Sequence, residues 1–314
     1  MLNFLYCFDQ NYNNQAFTSM ISLLDNVSEK INIYVIHKLL VNSELFPSSI
    51  IKHENLNKLE VYKYNDKIKH YPNLENAHVS EATYYRIFFD EYLPNDLNHI
   101  IYLDSDFICV NDPVEEINQN LSSLIGSDFT IGAVTQNSKN DQNKDMFDRI
   151  KMKSFNYFNA GFLIINTSLW KKNLIKEKFF RKLENLDFEL KFWDQDLLNY
   201  IFDGNYLKLS KYLNFQIKLE KNFKNSTEAN SGNVLFFHFL GKQKPWIGRG
   251  LFTNNTEIYQ NEFRKHSNKT YHIEHRWFLL SLKQLFTAFL DLSFLNIKYK
   301  TRFLYMFFYS FFNK

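Results

Sequence analysis

Short apolar runs separated by amphipathic segments recur through the first 100 residues, a pattern that restricts a chain to a mainly parallel sheet covered by helices. Residues 2–8, 31–36, 59–64 and 99–103 read as strands. Between the first two, Phe17, Met20, Ile21 and Leu24 repeat at helical spacing, and 80–92 reads as a helix that stops before Pro94. Further strands are expected at 131–134, 161–166, 206–209 and 234–237, with helices over 168–186 and 193–202. Residues 137–148 and 223–233 are polar enough to be loops or lids. The class is therefore α/β, and with 8 Gly and 5 Pro there is no evident linker before about residue 265.

With 45% hydrophobic and 23% charged residues the chain is neither disordered nor a disulfide scaffold. Its two cysteines, Cys7 and Cys109, lie far apart without metal-ligand spacing, so buried, reduced thiols of an intracellular protein are expected. The amino terminus has no basic stretch, and its apolar run ends at Asp9, too short for a signal peptide. The longest apolar candidates, 155–170 and 303–312, are polar-interrupted or too short for the roughly 20 residues a spanning helix needs. Neither GxGxxG nor GxxxxGK[ST] follows a strand, which disfavours a dinucleotide oxidoreductase or a P-loop ATPase.

In open α/β sheets, ligands bind outside the carboxyl ends of the strands. There the fourth strand delivers Asp104-Ser105-Asp106. Were the backbone extended, both carboxylates would point the same way and reach one hard divalent cation, which can neutralise a departing diphosphate. A later apolar strand ends in His238-Phe-Leu-Gly241-Lys-Gln-Lys244-Pro-Trp246. An imidazole placed there can complete the coordination, and nitrogen ligation favours Mn²⁺, with Mg²⁺ second. Gly241 admits close backbone approach and Lys244 offers a point charge to phosphate oxygens. By themselves these residues read equally well as turn acids and a strand-end histidine.

Six segments in one order make the reading specific: Phe8-Asp9-Gln-Asn11-Tyr12, His78-Val-Ser-Glu-Ala-Thr83-Tyr-Tyr-Arg86, Tyr102-Leu-Asp104-Ser105-Asp106, Tyr157-Phe-Asn159-Ala160-Gly161-Phe-Leu-Ile-Ile-Asn166, Trp193-Asp194-Gln195-Asp196-Leu-Leu-Asn199 and the His238–Trp246 stretch. Over residues 1 to about 250 the chain resembles glycosyltransferase family 8, in particular its retaining galactosyl- and glucosyltransferases of bacterial lipopolysaccharide and lipooligosaccharide assembly. The resemblance implies a GT-A nucleotide-diphospho-sugar transferase fold, a mainly parallel mixed sheet flanked by helices, over residues 1–265. It implies Mn²⁺ on Asp104, Asp106 and His238, and a UDP-sugar donor, UDP-galactose first and UDP-glucose next, held by Asp9, Asn11, Tyr12, Arg86, Asp104, Ser105, Asn159, Ala160, Asp194, Gln195, Gly241 and Lys244.

Within that set Asp9 and Asn11 suit a pyrimidine edge, or simply cap a helix, and Gln10 stands where the family often has a second acid. Arg86 suits the donor, or an ion pair with Asp90 or Glu81. Asn159-Ala160-Gly161 offers an amide and room for a sugar ring, or an ordinary turn before a strand. Asp194, Gln195 and Asp196 open a helix and can reach the sugar. Retention requires either an enzyme nucleophile or same-face attack by the acceptor. The resemblance puts Gln195 at the anomeric carbon, and since an amide oxygen is a poor nucleophile, same-face attack is favoured, with Asp194 binding donor hydroxyls. A covalent role for Asp194 or Gln195 is the alternative.

Charge is unevenly placed. From Arg264 onward nine Lys/Arg face two acids, a balance of +7, which leaves −4 for the remainder of a chain whose net charge is +3. Residues 266–314 read as a basic, aromatic helical tail, with Phe278, Leu282, Leu285, Phe286, Phe289 and Leu292 at helical spacing. An anionic membrane surface is the expected partner, on the cytoplasmic face of the inner membrane, beside a lipid-linked oligosaccharide acceptor. A helix packed back on the body, or an oligomer contact, is the alternative. No nucleic-acid motif is present and nucleic acid is not expected. Acceptor choice falls to 137–155, 211–232 and the tail. A nucleotidyltransferase would also use paired aspartates, and a non-catalytic glycan-binding membrane scaffold could keep the fold, but neither needs the late histidine segment.

Overall fold

A computed structural model describes residues 1–39, 45–65, 80–138, 144–219, 232–275 and 277–312. Seven strands form the main sheet: β1 (Asn3–Phe8), β2 (Ile31–His37), β3 (Leu56–Lys63), β4 (His99–Leu103), β6 (Ile131–Ser138), β7 (Asn156–Asn166) and β8 (Leu207–Lys208), in the order β3-β2-β1-β4-β7-β6-β8. β1 is parallel to both β2 and β4, while β7 runs antiparallel to β4 and β6. The chain thus winds outward from β1 in one direction and returns to the other side at β4, which opens a crevice at their carboxyl ends. A smaller sheet joins β5 (Phe107–Cys109), β10 (Phe236–Leu240) and β9 (Phe215–Lys218).

Both faces of the main sheet are covered, so β1 is buried at every position, as a central parallel strand must be. The helix Asn13–Asn26 presents Phe17, Met20, Ile21 and Leu24 to one face. Residues 81–92 and the helices Ile175–Glu184 and Trp193–Phe202 cover the other. The carboxyl-terminal helices Phe278–Leu290 and Lys300–Phe312 bury Leu285, Ala288, Phe303 and Phe307, with Phe294 from the 3-10 turn between them, against Leu251, Phe252, Tyr271 and Ile273, and leave their outer face exposed. Among the described residues no helix is long and apolar enough to cross a membrane.

Several expectations need correction. The stretch read as one helix over 80–92 is a 3-10 helix, Glu81–Phe88, followed by a single α-turn, Phe89–Tyr92. Tyr84 through Phe89 are all buried, a run that no single face of an α-helix can accommodate. The helix expected over 168–186 breaks at Leu174, whose φ of 52° is left-handed. Asn159-Ala160-Gly161 is not a turn before a strand. It lies inside β7, which begins at Asn156 and pairs irregularly with β6 around Ala133 and Val134. The polar segment from 137 to 148 contains the end of β6 and part of the helix Lys144–Arg149, while most of the loop placed at 223–233, and His78, lie outside the described residues.

Asp196 does not reach a sugar site. Its fully buried carboxylate receives Arg149 Nη1 and Nη2 at 2.8 and 3.1 Å, Tyr157 Oη at 2.8 Å, and the backbone N–H groups of Lys191 and Phe192 at 2.8 and 2.9 Å. Those contacts fix the start of the helix Trp193–Phe202 against β7. Removing one partner of a buried pair strands the other charge, so Arg149→Ala should lower unfolding free energy by about 3 kcal/mol, read from urea denaturation.

Candidate active site

A cavity of about 750 Å³ opens at the carboxyl ends of β1 and β4. Phe8 and Tyr12 line it from β1, Asp104, Ser105 and Asp106 from β4, Asn159 and Gly161 from β7, Asp194 and Gln195 from the helix start, and His238, Gly241 and Lys244 from the end of β10. Segments distant in sequence therefore meet in one concave site.

The aspartates lie in a turn rather than in extended backbone, because Phe107 N–H closes back on the Asp104 carbonyl at 3.4 Å before β5 begins. β10 brings in the third ligand: it pairs antiparallel with β5 so that His238 stands opposite Phe107, on which its ring stacks at 4.2 Å. Ligand atoms of Asp104, Asp106 and His238 all fall within 4.8 Å of one another. His238 Nε2 lies 3.3 Å from Asp106 Oδ1, and that buried oxygen accepts no hydrogen bond. Adjacent ligands of an octahedral ion at about 2.1 Å stand about 3 Å apart, so the separation and the donor set, two carboxylates and one imidazole, fit a divalent cation. Lys244 Nζ pairs with Asp106 Oδ2 at 2.7 Å and also donates to the Phe239 carbonyl. Burial pushes the Asp106 carboxyl up, but Lys244 and His238 outweigh it and hold it well below the usual carboxylate range.

Arg86 joins this cluster to the opposite wall. It is buried, stacks over the Tyr102 ring at 4.1 Å, and lies 2.9 Å from Asp194 Oδ2 and 3.5 Å from Asp104 Oδ1. Neither Asp90, which pairs with Lys176, nor Glu81, which pairs with Lys38, is its partner. Its donors are spent on the Thr83 carbonyl and hydroxyl and on the Ala160 carbonyl. Burial opposes its charge, and Asp194, Tyr102 and Asp104 together overcome that opposition. Asp194 Oδ1 accepts from Thr83 Oγ1 at 2.6 Å, whereas its buried Oδ2 is held by the ion pair with Arg86. Burial, only partly offset by Arg86 and Thr83, raises the Asp194 pKa to about 6.

Gln195 Oε1 takes the Ala160 N–H at 2.9 Å and Asn159 Nδ2 at 3.2 Å, while its Nε2 donates to Tyr157 Oη at 3.0 Å. The amide is thereby locked in one orientation. Asp9 Oδ1 accepts the Asn11 N–H at 2.9 Å and caps the short 3-10 helix Gln10–Tyr12. Neither Asp9 nor Asn11 lines the cavity, although the neighbouring Tyr12 does. Gly241 adopts φ of 79°, the left-handed backbone that glycine supplies, at the cavity rim.

Sequence reasoning overlooked Thr83, which ties Arg86 to Asp194, and Asn214, which accepts a hydrogen bond from His238. It also passed over Gln136, Lys191 and Lys218 on the cavity wall. The alternation Leu213, Phe215, Ile217 was the available signal for β9 and for the polar position beside it.

The sequence profile of glycosyl transferase family 8 matches residues 3–249. The chain belongs to this family. It is 31% identical over 93% of its length, and 88% of the relative's, to a lipopolysaccharide 1,2-glucosyltransferase of Escherichia coli. Against a lipopolysaccharide 1,3-galactosyltransferase of Salmonella typhimurium it is 26% identical over 60% of its length and 55% of the relative's. Among solved structures, galactosyltransferase LgtC in complex with donor and acceptor sugar analogs superposes with a TM-score of 0.69 at 20% identity, covering 85% of this chain and 97% of that one. The fold is the GT-A fold of family 8, and the protein is a glycosyltransferase.

Two outcomes follow from this geometry. A Cβ on Gly161 would lie 2.8 Å from His238 Cε1 and 2.9 Å from both Asp104 Oδ2 and Phe107 Cε2, so Gly161→Ala should displace these side chains and weaken divalent-cation binding at the cluster by at least about 10-fold in calorimetric titration. The second concerns Asp194, which titrates near 3.8 in the unfolded chain and near 6 in the folded one. Between those values the folded state binds more protons, so this group's contribution to stability declines as pH rises through the window. In the metal-free protein, the unfolding free energy of Asp194→Asn relative to wild type should therefore move in the variant's favour from pH 4 to pH 6. A flat difference across that range would refute the assignment.

Proposed function

We propose that the protein is a divalent-metal-dependent, retaining glycosyltransferase that moves a hexose from a UDP-sugar to a lipid-linked lipopolysaccharide or lipooligosaccharide acceptor. The observation that carries this reading is the convergence, in one cavity, of Asp104, Asp106, His238 and Lys244 on one side with Asp194 and Gln195 on the other. Mn²⁺ suits the mixed oxygen and nitrogen set, with Mg²⁺ second. The names of the two lipopolysaccharide transferases divide between glucose and galactose, and the broader match to the glucosyltransferase brings UDP-glucose level with UDP-galactose.

A cation bound by Asp104, Asp106 and His238 supplies positive charge to the departing diphosphate. Lys244 and the Gly241 backbone add to that stabilisation from the same rim, and Asp194, on the opposite wall of the cavity, is the carboxylate assigned to the donor hydroxyls. Gln195 Oε1 is already engaged by two N–H donors, which supports same-face attack over covalent catalysis. In that course the bond from the anomeric carbon to the phosphate oxygen breaks, the acceptor hydroxyl oxygen bonds to the same face, and its proton passes to the phosphate.

The carboxyl-terminal helices fit an anionic membrane surface. Leu279, Phe286, Leu290, Tyr305 and Phe312 are each more than 60% exposed, and Lys283, Lys298, Lys300 and Arg302 are exposed beside them. Apolar side chains entering the headgroup region, with about 1 kcal/mol per basic residue near anionic lipid, give a peripheral attachment on the cytoplasmic face of the inner membrane where such an acceptor is built.

The test is UDP release from a panel of UDP-sugars, with Mn²⁺ or with chelator, using wild type and Asp106→Ala. Turnover of UDP-glucose or UDP-galactose is expected, abolished by chelation and reduced more than about 100-fold by the substitution. Absence of turnover with every donor in the presence of Mn²⁺ and acceptor would overturn the reading.

A further inference from the structure

The orientation of the amides beside His238 can be deduced from the backbone outward. Gly161 N–H can only donate, so the Asn159 atom it meets at 3.0 Å is Oδ1. Asn214 reaches that same oxygen at 2.8 Å, and must therefore present Nδ2 to it. Its other atom, Oδ1, faces His238 Nδ1 at 2.9 Å, which requires the proton on Nδ1 and leaves the Nε2 lone pair pointing toward Asp106. In the opposite direction, Asn159 Nδ2 donates to Gln195 Oε1 at 3.2 Å. Asn214 is itself buried, on the segment leading into β9, and does not line the cavity.

We propose that Asn214 is a positioning residue with two simultaneous duties: its oxygen selects the His238 tautomer that can ligate a cation, and its amide holds Asn159 in the orientation that grips Gln195. The inference rests on the reading of Asp104, Asp106 and His238 as a cation site. An outer partner of this kind fixes ring orientation and commonly governs metal affinity by 10–100-fold. The primary amide supplies an acceptor to one neighbour and a donor to the other. Aspartate at this position would keep the acceptor for Nδ1–H but turn an oxygen toward Asn159 Oδ1. Leucine, of similar volume, would supply neither.

The chain thus links Gln195, the group expected at the anomeric carbon, to His238 through three side-chain hydrogen bonds, by way of Asn159 and the buried Asn214. A residue that served only to fill space would not need this polarity, since a buried amide costs stability unless both its ends are satisfied.

Wild type, Asn214→Asp and Asn214→Leu separate the two duties. In the metal-free proteins at pH 8, ¹⁵N spectra of His238 should show a protonated Nδ1 and bare Nε2 in wild type and in Asn214→Asp, and loss of that single tautomer in Asn214→Leu. Mn²⁺ affinity, measured by calorimetry, should stay within about threefold of wild type in Asn214→Asp and fall about 10–100-fold in Asn214→Leu. The Asn159 side-chain amide resonances should shift in both variants. An unchanged tautomer and unchanged Mn²⁺ affinity in Asn214→Leu would overturn the proposal, as would equal losses of affinity in the two variants. If wild type itself bound no Mn²⁺, the cation-site reading would fall, and the metal-free spectra would still decide whether Asn214 selects the tautomer.

Discussion

Mutual repulsion among three carboxylates is the constraint around which this molecule is organised. Asp104, Asp106 and Asp194 open into one cavity walled partly by apolar side chains, where charges interact far more strongly than in water. Two cations, placed by different elements, answer all three. Lys244 from the loop after β10 meets Asp106, and Arg86 from the 3-10 helix reaches both Asp194 and Asp104. The central position suits arginine: its planar fork makes hydrogen bonds to Thr83 and Ala160 while its face lies over Tyr102, which a compact ammonium could not do. Arg86 consequently acts as an internal brace between the Asp104–Asp106–His238 cluster and the Asp194 wall of the cavity.

That brace works only because the fold delivers its parts to one edge. β4 neighbours β1 in the main sheet, so the Asp104 turn emerges beside the Phe8–Tyr12 segment at the place where the winding direction changes. The three-stranded sheet then does what the main sheet cannot. By pairing β10 with β5 it aligns His238 with the residue directly after Asp106, closing a long stretch of sequence with a single ladder. Gly161 leaves the volume into which His238, Asp104 and Phe107 all project. It supplies space for those side chains at a position that also lines the cavity.

Much of this was legible in the sequence. β4 begins and ends where the apolar run from His99 to Leu103 does, and the helix Trp193–Phe202 matches its pattern because both are bounded by strong local signals. The two aspartates were recognisable from their position after β4, and the histidine from its apolar run, although that run continues past it and His238 lies inside β10. Less legible were features decided by distant partners. Nothing local distinguishes Asp194, which faces the cavity, from Asp196, which faces Arg149. The helical rotation between them became meaningful only once β7 and the helix Lys144–Arg149 were in place. Asn214 was invisible for the same reason, since its neighbours in space, Asn159 and His238, are remote in the chain. The expectation of extended backbone at 104–106 failed because β4 and β5 belong to different sheets, and the chain must turn to pass from one to the other.

The carboxyl-terminal segment connects this site to the surface proposed to meet lipid. Before the tail helices begin, Glu274 N–H donates to the Trp246 carbonyl at 2.8 Å, and Gln260 donates to the Pro245 carbonyl and to that of His272 at 2.9 and 3.0 Å. Two of these bonds are made to the residues immediately after Lys244, whose ammonium pairs with Asp106. Trp246 in turn is buried and stacks with His272. The loop carrying Lys244 is therefore supported from beneath by the strand-like run that leads into the exposed apolar helices. A tail joined by a free linker would leave the orientation of the cavity toward a membrane undetermined. Here the bonds to the carbonyls of residues 245 and 246, together with the buried contact of Phe303 with Phe252, set the exposed apolar helices and the loop carrying Lys244 on a common support.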